Sequence, residues 1–156
     1  MRNRQIGILF LFVSVLILAT APEAVAQEHR QLGALLGVTG DPGQFYVGGN
    51  VELREVKPRV WFRPAAEIGV GDGEALFSVD GEFVYHVKNS SPDWIPFAGL
   101  GPALIIQTFR QGGAGTSVGV GLNFVGGIRE RKGLLVEVKI GAFDSPGFRA
   151  GIGWTW

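Results

Sequence analysis

Phe45-Tyr46-Val47-Gly48-Gly49-Asn50-Val51-Glu52-Leu53-Arg54 alternates strictly. Phe45, Val47, Gly49, Val51 and Leu53 share one parity, and Tyr46, Gly48, Asn50, Glu52 and Arg54 share the other. Period-2 alternation of apolar and polar residues marks a β-strand with two unlike faces. The polar parity is a mixture of charge and glycine. A water-facing strand has no use for glycine, which leaves nothing to pack and weakens the strand. The interior of a narrow barrel does, because small and large side chains must alternate to fill it.

The same pattern recurs on both sides of this stretch. Val60, Phe62, Ala66, Ile68 and Val70 oppose Trp61, Arg63, Glu67 and Gly69. Phe77, Val79, Phe83, Tyr85 and Val87 oppose Ser78, Asp80, Glu82, His86 and Lys88. Leu134, Val136, Val138 and Ile140 oppose Glu137, Lys139 and Gly141, and Phe148, Ala150, Ile152, Trp154 and Trp156 oppose Arg149, Gly151, Gly153 and Thr155. Ile95 to Gln107 is apolar on both parities, so its faces stay open. Seven Gly-, Pro- and Asx-rich breakers punctuate the chain after residue 27, from Asp41-Pro42-Gly43 to Asp144-Ser145-Pro146-Gly147. They predict eight strands: 31–40, 44–55, 59–70, 74–88, 94–109, 116–129, 134–143 and 148–156. Most reach the roughly 9–11 residues that a tilted strand needs to cross a bilayer. An even number lets an up-and-down antiparallel sheet close. The expected fold is therefore all-β, an eight-stranded antiparallel up-and-down transmembrane β-barrel.

Periodicity does not say which face is inside. A lipocalin-like carrier would turn the apolar face inward; a membrane barrel would turn it to lipid. The glycine-rich charged face favours the second, since eight strands leave an interior only just wide enough for side chains. The lumen is then expected to hold a charge network of Glu52, Arg54, Arg63, Glu67, Asp80, Glu82, Glu137, Lys139 and Arg149. Arg63 is expected to pair with Asp80 or Glu82 once the chain folds about Gly71-Asp72-Gly73. With both termini at the periplasmic side, Trp61, Trp94, Trp154 and Trp156 all fall at that rim as an interface girdle, and Phe45, Phe77, Phe109, Phe143 and Phe148 fall near the other.

The 156-residue chain opens with Arg2 and Arg4, an apolar run from Ile6 to Leu18, and Ala24-Val25-Ala26. Thirteen residues are too few for a spanning helix. The pattern is that of a signal peptide over 1–26, cleaved between Ala26 and Gln27, ahead of a barrel domain over 27–156. Removing Arg2, Arg4 and Glu23 from 14 basic and 14 acidic residues leaves a net charge of −1. That argues against a nucleic-acid partner. The absence of cysteine excludes a lipoprotein anchor, a disulfide framework and thiolate metal sites.

The last strand, Phe148-Arg-Ala-Gly-Ile-Gly-Trp-Thr-Trp156, resembles the C-terminal assembly signal of outer-membrane barrels, carried here by Phe148, Ile152, Trp154 and Trp156. Pro96-Phe-Ala-Gly-Leu-Gly-Pro102 and Gly121-Leu-Asn-Phe-Val-Gly-Gly127 also resemble strands of the small eight-stranded outer-membrane β-barrels, the OmpA-, OmpX- and opacity-protein-like proteins. The resemblance covers nearly all of 31–156. It implies location in a bacterial outer membrane, lipid as the surrounding partner, the outer-membrane assembly machinery as a partner during biogenesis, and a monomer. It is specific for architecture and says little about activity. Adhesive members carry long extracellular loops; every connection here is short, which argues against adhesion.

Barrel enzymes of this size act on lipid A, and one uses Ser and His. Here His86 precedes Val87-Lys88-Asn89-Ser90, which departs from the deacylase's H-x-S pattern, and Ser78 lies roughly 26 Å away along a strand. Asp80 and Glu82 lie about 7 Å apart on one face, but among so many cations pairing is their expected role. Glu28 and His29 are too few for a metal site, and Gly112–Gly115 lacks the lysine and helix of a phosphate loop. No catalytic, metal or cofactor site is expected. Two function classes remain: a non-enzymatic structural or envelope-integrity barrel with a filled lumen, and a narrow porin-like pore or ligand-binding carrier.

Overall fold

The computed structural model describes residues 31–40, 43–71, 73–88, 93–109 and 115–156. The expected signal peptide, its cleavage site and His29 lie outside them. The described residues form nine strand elements: β1 (Gln31–Thr39), β2 (Gln44–Glu52), β3 (Arg54–Lys57), β4 (Val60–Gly71), β5 (Glu74–His86), β6 (Trp94–Phe109), β7 (Gly115–Glu130), β8 (Leu134–Phe143) and β9 (Phe148–Thr155). Every neighbouring pair is antiparallel. β1 pairs with both β2 and β9, and β2 pairs with β4, so the sheet closes on itself as an eight-stranded barrel.

The ninth element comes from splitting the expected strand 44–55 at Leu53. β2 pairs with β4 in one register, Asn50 opposite Ala65, while β3 pairs one residue later, Arg54 opposite Phe62. The extra residue is a β-bulge, and a one-residue shift sends every following side chain to the other face. Arg54 therefore stands on the outer side with Phe62 and is exposed. This corrects its expected place in the lumen: alternation had to be interrupted, and nothing between Glu52 and Arg54 signals the bulge.

Elsewhere the faces follow the alternation. Outside, Leu36, Val47, Ile68, Val70, Ile140 and Ile152 are each at least half exposed. Inside lie the charged residues and glycines. The open question over β6 resolves with Phe97, Ala103 and Ile105 buried inside and Leu100 exposed outside. Both faces are apolar because β6 lines an interior that is itself layered. Leu35, Val84, Phe97, Val125 and Leu135 form one apolar cluster toward the termini, and Leu76, Ala103 and Ile105 form another toward the opposite mouth.

β6 and β7 are the longest strands, at 16 residues, and β8 joins β7 only from Gly121 onward. Where β8 stops, Phe143 takes a left-handed φ of 65° and the chain turns inward. Ser145 and Pro146 become buried inside the mouth, and Asp144 Oδ2 accepts from the Val120 N–H at 3.1 Å. The tuck requires glycine at 121, where a Cβ would stand 2.5 Å from that of Ser145.

Candidate functional site in the barrel lumen

Between the two apolar clusters the inward parities of β4, β5, β8 and β9 converge on one charged layer. β4 contributes Arg63 and Glu67, β5 Asp80 and Glu82, β8 Glu137 and Lys139, and β9 Arg149; all seven are almost fully buried. Arg63 and Glu82 are register partners across β4 and β5. Arg63 donates to Glu82 Oε2 from Nε at 2.8 Å and from Nη2 at 2.6 Å, and Nη2 also contacts Glu137 Oε2 at 2.7 Å across the lumen. Its guanidinium lies 5.2 Å from the centre of the Phe97 ring, so Phe97 separates the charged layer from the apolar one.

Lys139 is the hub. Its ammonium sits 2.5 Å from Glu67 Oε1, 2.9 Å from Asp80 Oδ2 and 2.8 Å from Glu82 Oε1, with Glu137 Oε1 farther off at 3.7 Å. Arg149 Nη1 donates to Glu67 Oε2 at 2.5 Å and Nη2 to Ser145 Oγ at 3.3 Å. Ser145 Oγ donates to Asn123 Oδ1, and Asn123 Nδ2 donates to Asp80 Oδ1 at 3.1 Å. The network thus runs from β4 round to the β8–β9 turn, and that turn is part of it. Such a buried network is costly to desolvate, and each charge depends on its partners remaining in place.

Of the nine expected lumen charges, seven meet in this layer. Glu52 is buried but sits at the terminal rim, 3.1 Å from Arg129 Nη1 and 3.2 Å from His86 Nε2. Arg54 is outside. Arg63 takes one of its two expected partners, Glu82, and a second from β8 that adjacent-strand folding does not reveal. Arg129, Asn123 and Ser145 also face the interior and were not among the residues expected there. Arg129 shares its parity with Gly121 and Gly127, a usable signal. Ser145 lies in a turn, and no periodicity announces a turn that folds inward.

All four tryptophans lie toward the end that carries the termini. Trp154 and Trp156 are exposed on the outside, and Trp94 is half-buried on the outward parity. Trp61 departs from the girdle: it holds the inward parity and stacks on His86, ring centres 6.1 Å apart and planes 24° from parallel. On the outer surface its chain neighbour Phe62 packs against Phe83, ring centres 5.4 Å apart. Among the described residues no cluster of His, Asp or Glu is arranged to hold a metal ion.

No protein-family model matches the chain, and no curated protein matches it. Solved structures do. The N-terminal β-barrel domain of Pseudomonas aeruginosa OprF superposes with a TM-score of 0.65 at 12% identity, covering 81% of this chain and 96% of that one. Neisserial surface protein A superposes with a TM-score of 0.60 at 15% identity, covering 81% and 92%. The fold is that of the small eight-stranded outer-membrane β-barrels. A de novo designed transmembrane β-barrel also matches, with a TM-score of 0.50 at 16% identity over 85% of this chain and all of the design. At these identities the likeness is one of fold.

Proposed function

We propose that the mature chain is an integral protein of a bacterial outer membrane, non-enzymatic, and serves as a structural barrel whose lumen is closed by its own side chains. One observation carries the reading: Lys139 and its carboxylate partners cross-link β4, β5 and β8 through the middle of the barrel, with an apolar cluster on each side. A wide, wet channel would leave such charges solvated. The outward apolar surface and the exposed Trp154 and Trp156 suit lipid and its interface. In lipid every backbone polar group must be paired, which a closed ladder provides. His86 is engaged with Glu52 and Trp61, an arrangement suited to sealing a rim rather than activating a hydroxyl.

The test is fractionation combined with solute flux. The protein is expected in the outer-membrane fraction, shifting in gel mobility on boiling, and liposomes containing it are expected to remain impermeable to small sugars. Recovery from the soluble periplasm with a bound lipophile would favour the carrier, and sugar-permeable liposomes would favour the pore.

A further inference from the structure

The charged layer does not balance. Four carboxylates, Glu67, Asp80, Glu82 and Glu137, share it with three cations, Arg63, Lys139 and Arg149. The other elements add no charge that redresses this. β2 presents the Tyr46 phenol, β7 the Asn123 amide and the β8–β9 turn the Ser145 hydroxyl, while β1 contributes Leu35 and Gly37 and β6 contributes Phe97, Gly99 and Gly101. Glu52 and Arg129 balance each other at the rim. An uncompensated negative charge, enclosed between apolar clusters, is among the costliest things a protein can bury.

The geometry also singles out one carboxylate. An ammonium has three N–H groups, and the three oxygens within 2.9 Å of Lys139 Nζ belong to Glu67, Asp80 and Glu82. Glu67 accepts from Lys139 and Arg149, Asp80 from Lys139 and Asn123, and Glu82 twice from Arg63. Glu137 has the fewest close partners: Oε2 meets only Arg63 Nη2, at 2.7 Å, a nitrogen that Glu82 shares, and Oε1 stands 3.7 Å from Lys139, beyond hydrogen-bond reach.

We propose that the lumen network is a proton-binding site, with Glu137 present as the neutral carboxylic acid in the folded barrel at neutral pH. The proton comes from solvent during assembly and leaves the layer with three negative and three positive charges. The inference rests on the closed-lumen reading, since a water-filled channel would supply counterions instead.

The wild-type barrel and Glu137→Gln, which mimics the neutral acid, are compared in detergent by infrared spectroscopy and by guanidinium unfolding between pH 5 and pH 8. The wild type should show the carbonyl stretch of a neutral carboxylic acid at pH 7.5, and the variant should lack it. An unfolded chain releases this proton above the ordinary carboxylate range. The wild-type unfolding constant should therefore rise with pH, by up to about tenfold per unit for one proton, and the variant should flatten that rise. Glu67→Gln, which removes a doubly paired carboxylate and leaves three carboxylates facing three cations, should lose stability and flatten the slope as well, whereas Lys132→Glu in the exposed β7–β8 turn should keep it. Absence of the neutral-acid band from the wild type overturns the proposal even if Glu137→Gln does not assemble. So would stability that depends on sodium rather than N-methylglucamine at equal ionic strength, which would indicate a bound cation. A barrel impermeable to sugars but lacking the band rejects the proton alone; a permeable one rejects the closed lumen as well.

Discussion

Arg63 shows how much depends on single charges in this lumen. It is 2% exposed, with Glu82 as its counter-charge and Glu137 in contact across the lumen. Reversing it to glutamate would crowd three carboxyl groups together with no guanidinium between them. Breaking a buried pair by removing one partner costs on the order of 3–5 kcal/mol, whereas an exposed pair contributes about 0–1 kcal/mol. Arg63→Glu is therefore expected to lose several times more stability than Lys132→Glu in the exposed β7–β8 turn, as read by guanidinium unfolding in detergent. Adding Glu82→Arg should recover part of the loss, because the new guanidinium faces both residue 63 and Glu137. Equal stability of the two single variants would mean that water solvates Arg63. This residue was legible in the sequence because register follows from a short turn: folding about Gly71-Asp72-Gly73 sets 63 against 82. Glu137 was not legible as its partner. It reaches Arg63 across the lumen, and cross-lumen neighbours follow from barrel closure rather than from adjacency.

Two elements carry more than their length suggests. β9 closes the barrel by pairing with β1, from Thr39 opposite Arg149 to Gly33 opposite Thr155, and Trp156 exchanges backbone bonds with Leu32 at 2.9 and 3.3 Å. Deleting Trp154–Trp156 removes the last of these pairings and the exposed interface aromatics, and replacing Trp156 by aspartate puts a charge where an interface aromatic stood. The chain should still be exported but should fail to yield a heat-modifiable barrel; a normal mobility shift from the truncated chain would contradict the closing role of β9. The β8–β9 turn is the second such element. Gly121→Val would place a branched side chain against the Ser145 backbone, and overpacking typically costs about 1–3 kcal/mol. The turn should be expelled, with faster proteolysis around 144–147 and reduced stability; protection equal to wild type would show that the turn needs no such space. Strand positions were legible because turn residues and alternation agree. The bulge at Leu53 and the inward turn were not, since both break the period on which the reading depends.

At the scale of the whole molecule, the glycines and charges on one parity and the aliphatics on the other were enough to predict a closed barrel turned apolar side out. Closure arranges the interior as two apolar clusters around a charged layer, an ordering that no single strand displays. The outer surface provides the hydrophobic contact with lipid, and the network fills what eight strands enclose. A shut interior separates a barrel filled by its own side chains from a pore. The most direct measurement is the steady conductance of the purified, refolded barrel in planar bilayers, with Lys139→Ala alongside. The wild type is predicted to be silent, and Lys139→Ala, which releases Glu67, Asp80 and Glu82 from their shared ammonium, is predicted to open at least intermittent current. Stable open channels in the wild type, unchanged by loss of Lys139, would contradict a lumen closed by its own charges.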